Sequence, residues 1–356
     1  MNTRVTIQDI ADALNLSRNT VSKAINNTGT IADSTRDLVL NKAAEMGYKQ
    51  FSYIDIKSKK IKETGKNTNL SMELAFITTS RLDSAHFGST MIDKIQHELS
   101  EIGCSLTIYR VLPSEIEECR LPLSLSLERI SGIFCAEVFN IPYCRMLSSL
   151  DTPVLFIDSP CIMNEEPLKS DILLMDNESY SYSLIKDFKD KGYAQVGFVG
   201  DIYHCRSFYE RYTSFRNALD FWGLEFNKDF CMTGTEGRAY AERTVNYQDY
   251  ILESIKNMKK LPDMFICAND FVAFDLMRAL RQLNITVPDD VMICGFDNSH
   301  ESTLVMPTLT TVHIHSQLMG HEAVELLLSR IKEPSLNYRI MHTETNLIYR
   351  ESVRWS

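Results

Sequence analysis

Tryptophan occurs only twice in 356 residues, proline ten times and glycine fourteen. Scarce Pro and Gly exclude collagen-like repeats and linker-like low-complexity chains. No apolar run approaches the ~20 residues that a membrane-spanning helix needs. Met1 to Thr6 lacks the apolar stretch and small-residue cleavage site of a secretory signal. The nine cysteines, scattered from Cys104 to Cys294, contain no Cys-x-x-Cys pair. Neither a disulfide framework nor a zinc site is indicated, and free thiols in a reducing cytoplasm are expected. The glycine-rich phosphate loop, the Gly-x-Gly-x-x-Gly fingerprint and the Gly-x-Ser-x-Gly nucleophile elbow are also missing. What remains, 44% hydrophobic and 24% charged, is the composition of a soluble globular chain with room for two or three folded units.

Charge is unevenly placed. The net is −10, yet residues 1–66 carry 11 basic against 7 acidic side chains, leaving 26 against 40 for the remainder. Within Lys49–Lys66 six lysines face Asp55 and Glu63. A basic head on an acidic body suggests that the head meets a polyanion. The competing interpretation is a solvated charged face.

Thr6 to Gly47 predicts three short helices. Thr6 caps the first, with Asp9 three residues on and Ile7, Ile10, Ala11 and Leu14 at helical spacing. Asn15 tolerates the left-handed turn that follows. Ser17 caps the second, with Val21, Ala24 and Ile25 inward, and a third starts at Asp33 or Ser34. Phe51–Asn69 has no steady apolar period and reads as a linker. From Leu70, eight strand candidates alternate with amphipathic helices: Glu73–Thr79, Ser105–Val111, Gly132–Ala136, Val154–Asp158, Ile172–Asp176, Val196–Gly200, Met264–Asn269 and Val291–Gly295. That rhythm predicts βαβ units, and the length favours two α/β lobes over one sheet. Ligands of such sheets bind beyond the carboxyl ends of the strands, where Thr78-Thr79, Asp158, Asn269-Asp270 and Asp297 stand.

The run Thr6-Ile7-Gln8-Asp9-Ile10-Ala11, then Leu16-Ser17-x-x-Thr20-Val21-Ser22-Lys23-Ala24-Ile25-Asn26, Ser34-Thr35-Arg36 and Gly47-Tyr48 resembles the DNA-binding head of the lactose-repressor (LacI/GalR) family. Matching pieces of the body follow in order: Gly192-Tyr193, Arg211 with Phe215, Ala268-Asn269-Asp270, Val287-Pro288-Asp289-Asp290-Val291, Gly295-Phe296-Asp297 and Pro307-x-Leu309-Thr310-Thr311-Val312. The resemblance spans nearly the whole chain. It implies an all-α helix-turn-helix head and a two-lobed, periplasmic-binding-protein-like α/β body with two parallel sheets and flanking helices. It further implies a homodimer on a pseudo-palindromic double-stranded DNA operator, with a small-molecule effector, a carbohydrate by family analogy, between the lobes. The expected limits are 1–49 for the head, 50–70 for the hinge and 71–356 for the body. Lobe 1 is expected over 71–168 and 308–330, and lobe 2 over 171–300 and 336–356.

In a helix-turn-helix the N-terminal end of the second helix presents side chains to base edges. Here those are Arg18, suited to guanine, and Asn19, suited to adenine. Ser17, Thr20, Ser22 and Lys23 are donors for phosphates, and the resemblance adds Thr6, Asn26 and Tyr48. After Tyr48 the sequence departs from the family: no Pro follows, nor the Leu that wedges the minor groove. Ile54 or Ile56 is the substitute wedge; the alternative is a basic tether. Transferred by motif, the effector residues are Thr79, Phe87, Asp158, Arg211, Asn269 and Asp297, with Asp270 assigned to capping the next helix.

No cofactor or metal is expected. His321-Glu322-Ala323-Val324-Glu325 starts like a zinc-protease helix, but Glu325 stands where the second His is required. His313 and His315 share one face of a strand candidate and could hold a metal there, but the match of their flanks to the family favours a structural strand. The rival function is a helix-turn-helix head fused to an enzyme such as a sugar kinase, which would need the missing phosphate loop. A phosphoprotein is the rival effector.

Overall fold

The computed structural model describes residues 6–25, 32, 35–36, 38–39, 42–43, 46, 72–79, 86–162, 166–234 and 247–355. The chain divides into two compact units, Met1–Asn69 and Leu70–Ser356.

In the head, α1 (Ile7–Leu14) opens with a capping box: the Asp9 amide donates to Thr6 Oγ1 at 3.3 Å and the Thr6 amide to Asp9 Oδ2 at 2.7 Å. Asn15 ends it with φ 56°, the left-handed conformation expected of it. Ser17 Oγ then accepts from the Thr20 amide at 3.0 Å and starts α2 (Arg18–Ile25). Thr35, Arg36, Leu38, Val39, Lys42 and Ala43 are also helical. Ile10, Ala11, Val21, Ala24, Val39 and Ala43 form the small buried core.

Among the described residues, the body's strands begin with β1 (Glu73–Thr78), β2 (Ser105–Arg110), β3 (Ile130–Ala136), β4 (Val154–Ile157), β5 (Asp171–Met175) and β6 (Val196–Val199). They continue with β7 (Cys231–Met232), β8 (Met264–Cys267), β9 (Met292–Cys294), β10 (Thr311–Ile314), β11 (Ile340–Thr343) and β12 (Thr345–Ile348). The helices used below are α3 (His86–Glu101), α4 (Ser179–Asp190), α5 (Arg206–Trp222), α6 (Asp270–Gln282) and α7 (Ser316–Lys332). All eight expected strands form, close to their expected limits. One sheet has the order β11-β5-β4-β3-β1-β2 and the other β7-β6-β8-β9, with every neighbouring pair parallel. β10 and β12 pair antiparallel, and bridges Cys294 to Thr310 and Asp297 to His313 continue the β9 edge.

This pairing corrects the expected lobe limits. β5 lies beside β4 and β11 beside β5, so residues 171–175 and 340–343 belong to the first lobe, not the second. β10, expected in lobe 1, joins the β9 edge of lobe 2 instead. The chain therefore crosses between lobes after Met175, between Ile314 and Ser316, and after Thr343.

A buried ion cluster accounts for the first-lobe allegiance of β5 and β11. Asp171 is 1% exposed at the start of β5. Its carboxylate accepts from Arg330 Nη2 at 2.9 Å and Nε at 3.1 Å, from Arg339 Nη2 at 2.8 Å and from the Arg339 amide at 2.7 Å. Arg330, on α7, also donates to the carbonyls of Pro334, Leu336 and Asn337. One carboxylate thus ties helix α7, the following loop and strand β11 to the sheet edge, and the two guanidinium groups hold its pKa below the usual aspartate value. Removing Asp171 leaves the buried Arg330 without a counter-charge, a loss typically of about 3–5 kcal/mol. Asp171→Ala is expected to lower unfolding free energy by about that amount in urea titrations, while Glu253→Ala, at an exposed pair with Lys256, changes it by less than ~1 kcal/mol.

Candidate functional site

In the head, the buried face of α2 is formed by Val21 and Ala24, and this leaves Arg18, Asn19 and Lys23 exposed on the rest of the helix. Ser17 and Thr20, expected as phosphate donors, are partly engaged: the Ser17 hydroxyl caps the helix and lies 2.8 Å from Thr20 Oγ1. Thr6 is likewise engaged with Asp9, its hydroxyl donating to Asp9 Oδ2 at 2.7 Å. Ser22 is half-buried. Asn26, Tyr48, Ile54 and Ile56 lie outside the described residues, so the minor-groove wedge expected there has no structural account.

In the body, three strand ends of lobe 1 and two of lobe 2 converge. Glu137 follows β3, Asp158 follows β4 and Asp297 lies beyond β9, with φ of 58°, 60° and 119°. Such left-handed backbone is rare for residues other than glycine and clusters at functional sites. Thr79, at the end of β1, does not point freely into the cleft: its hydroxyl donates to the Glu137 carbonyl and clamps two strand ends together.

Asp158 reaches across to lobe 2. Cys205, the N-cap of α5, makes no side-chain capping bond. Asp158 Oδ1 supplies one, accepting from the Ser207 amide at 3.3 Å as well as from the Ser159 amide at 2.7 Å. Beside it, the Arg206 amide donates to the Ser159 carbonyl at 2.8 Å. A carboxylate at a helix N-terminus is favoured by the unpaired N–H groups and the helix dipole.

One turn further along α5, Arg211 is 2% exposed. Its Nε donates to Asn177 Oδ1 at 2.9 Å and its Nη1 to the Ala268 carbonyl at 2.6 Å. The guanidinium lies over the Phe296 ring, 3.4 Å from the centroid, and 3.9 Å from Asp297 Oδ1. Burial raises the carboxyl pKa of Asp158 and Asp297 against the opposing pull of Arg211. Glu137 is pushed up to about 7, by burial first and the neighbouring Asp158 second.

One expectation at this site is corrected. Asn269, not Asp270, caps α6: its Oδ1 accepts from the Val272 amide at 3.0 Å, which leaves its amide group for another partner. Asp270 turns inward, accepting from the Ser299 amide at 2.8 Å and the Thr311 hydroxyl at 2.5 Å. A side chain on Gly295 would collide with this carboxylate, so the Gly-Phe-Asp motif needs glycine there. Phe87 lies in α3, and its side chain is outside the description. Arg211, Asp158 and Asp297 are brought together as expected, with Asn269 adjoining Ala268. Glu137 and Asn177 were missed. Glu137 follows a strand candidate with a polar group in the same way as Asp158, so that signal was available. Asn177 carried none.

Glu137 also sets a pH dependence. Folded, it keeps its proton up to about 7, against an ordinary glutamate value of 4.5. The folded state therefore binds more protons than the unfolded between those values, and stability falls as pH rises through them. Glu137→Gln is expected to melt a few degrees above the wild-type chain at about pH 8, with the gap closing below about pH 5, in thermal melts across that range.

Comparison with known proteins followed the two units. A model of bacterial regulatory proteins of the lacI family matches residues 6–50, and a periplasmic binding protein-like domain matches 185–353. The HTH-type transcriptional repressor PurR of Pasteurella multocida is 27% identical over 355 residues, covering 98% of each chain. Among solved structures, a complex of the transcriptional regulator CelR with cellobiose has TM-score 0.65 and 20% identity, covering 98% of this chain and 100% of that one. The lac repressor dimer bound to operator and the anti-inducer ONPF has TM-score 0.62 and 19% identity, covering 98% and 99%. The chain thus carries a lacI-family head and a periplasmic binding protein-like domain, and over nearly its whole length it is similar to transcriptional repressors of that family.

Proposed function

We propose that this protein is a sequence-specific transcriptional repressor that binds a pseudo-palindromic duplex operator as a homodimer. Its operator affinity changes when a small polyhydroxylated molecule, a sugar or sugar derivative, occupies the cleft around Arg211. The observation that carries the DNA half is the exposed Arg18-Asn19 pair at the first turn of α2, whose opposite face is buried. Arg forks onto guanine O6 and N7, and Asn onto adenine N6 and N7. Lys23 supplies phosphate attraction.

For the sensor half, the support is chemical. Arg211 and Asn269 offer donors, while Glu137 and Asp297 offer acceptors, the pairing that hydroxyl groups require. A ligand touching residues of both lobes favours their closed arrangement by its differential affinity. The Asp158–Ser207 and Ser159–Arg206 bonds already span the lobes. Closure coupled to operator binding is typically worth ~1–3 kcal/mol. The enzyme alternative gives way, because the relative matched over 98% of both chains is a repressor. A DNA partner implies a cytoplasmic protein, in keeping with nine free thiols. No helix among the described residues is long and apolar enough to cross a membrane.

Operators selected from random duplexes should be two-fold symmetric. Arg18→Ala is expected to weaken the selected operator by about 1–3 kcal/mol and to relax preference at one base pair per half-site. Lys23→Ala should weaken all sequences alike and reduce the salt slope by about one. Unchanged affinity and selectivity in Arg18→Ala, measured by fluorescence anisotropy, would refute the assignment.

A further inference from the structure

The three acidic side chains of the cleft are not equivalently matched. Asp158 has the N–H groups at the start of α5. Asp297 has Arg211, 3.9 Å away. Glu137, from the other lobe, touches neither: among the described residues its carboxylate makes no hydrogen bond and no ion pair, its attraction to Arg211 acts without contact, and only its backbone carbonyl is engaged, by Thr79. A second observation points the same way from across the cleft. Arg211 is 2% exposed and uses Nε and Nη1 on the protein, which leaves Nη2 without an acceptor among the described residues. The Asn269 amide group is also open once its oxygen has capped α6. Two vacant donors therefore stand on lobe 2 and one vacant, negatively charged acceptor on lobe 1.

From this arrangement we infer that Glu137 is the specificity-determining residue of the cleft and that the effector is an amine-bearing sugar, its ammonium group on Glu137 and its hydroxyl oxygens on Arg211 and Asn269. The inference rests on the sensor reading above and narrows it. A neutral sugar would accept from Arg211 and Asn269 equally well, but it would leave the Glu137 charge in a poorly solvated site with no contacting counter-charge. An ammonium group supplies both the counter-charge and the donors, and charge-assisted hydrogen bonds are about twice as strong as neutral ones. The same contact spans the lobes, so the group that confers selectivity also draws them together. The near-neutral titration of Glu137 accords with this: burial and the neighbouring Asp158 resist its negative charge, and a bound cation relieves it.

The test is calorimetric titration of the full chain with matched pairs: glucosamine and glucose, galactosamine and galactose, mannosamine and mannose, each with its N-acetylated form. At least one amine is expected to bind ten-fold or more tightly than its neutral and N-acetyl partners. Its affinity should rise from about pH 5.5 to about pH 7 as Glu137 ionises. Glu137→Gln should abolish that preference, bringing the amine to within about two-fold of the neutral sugar, while Glu137→Asp retains part of it. Intact melting curves for both variants exclude misfolding as the cause. A neutral sugar that binds as tightly as its amine, or an amine that binds more tightly at the acid end of that range, overturns the inference and leaves the sensor reading standing. So does binding of no sugar by a chain that still selects an operator. Failure to select any operator sinks the repressor reading itself.

Discussion

A guanidinium buried as deeply as that of Arg211 is tolerable only if its faces and hydrogens are met. Here the Phe296 ring covers one face, Asn177 and the Ala268 carbonyl take two N–H groups, and the carboxylate of Asp297 lies alongside. Much of the body is organised by this requirement. Ala268 follows β8, Phe296 and Asp297 lie beyond β9, and Asn177 sits just past the first crossover, so a single side chain on α5 gathers the carboxyl edge of the lobe 2 sheet and the hinge. The same anchoring leaves one nitrogen of Arg211 facing the cleft.

The hinge inherits its connectivity from that site. Asn177 accepts from Arg211 and donates to Glu210 Oε2 at 2.8 Å. Glu210 pairs with Arg206 at 2.7 Å and lies 3.5 Å from His342, on the lobe 1 strand β11. Its carboxyl pKa is held below the usual value by His342, Asn177 and Arg206 against the effect of burial, and that of His342 is raised in return. A short chain of polar contacts therefore connects Arg211 to a strand of the opposite lobe. Such a route gives closure a physical path, since a change at Arg211 must be absorbed by Asn177 or by Glu210.

Much of this was legible from residue order. Thr6 with Asp9, Asn15 and Ser17 mark the head's helix ends because capping and left-handed turns are local events decided by a few neighbouring side chains. The eight strands from Glu73 to Gly295 were equally plain, since continuous short apolar runs are required wherever a parallel sheet is covered on both faces. Asp297 could be placed at the strand carboxyl ends, where ligands of such sheets bind, and Arg211 beside it through the family resemblance. Which sheet β5 joins was not legible. Ile172–Met175 is apolar enough for either lobe, and its allegiance is decided by Asp171 meeting Arg330 and Arg339, which lie 159 and 168 residues further along the chain.

Composition, capping chemistry and apolar period are properties of neighbours in the chain, and they were sufficient for a basic helical head, an α/β body and the sheet edge at which Asp158, Asn269 and Asp297 stand. Partnerships between distant residues were settled by folding alone: Asp158 capping a helix of the opposite lobe, Asn269 taking the capping role assigned to Asp270, and Glu137 left as the carboxylate without a partner among the described residues. Whether a charged group is satisfied or vacant depends on what the fold brings within about 3 Å of it, and no pattern of adjacent residues encodes that distance.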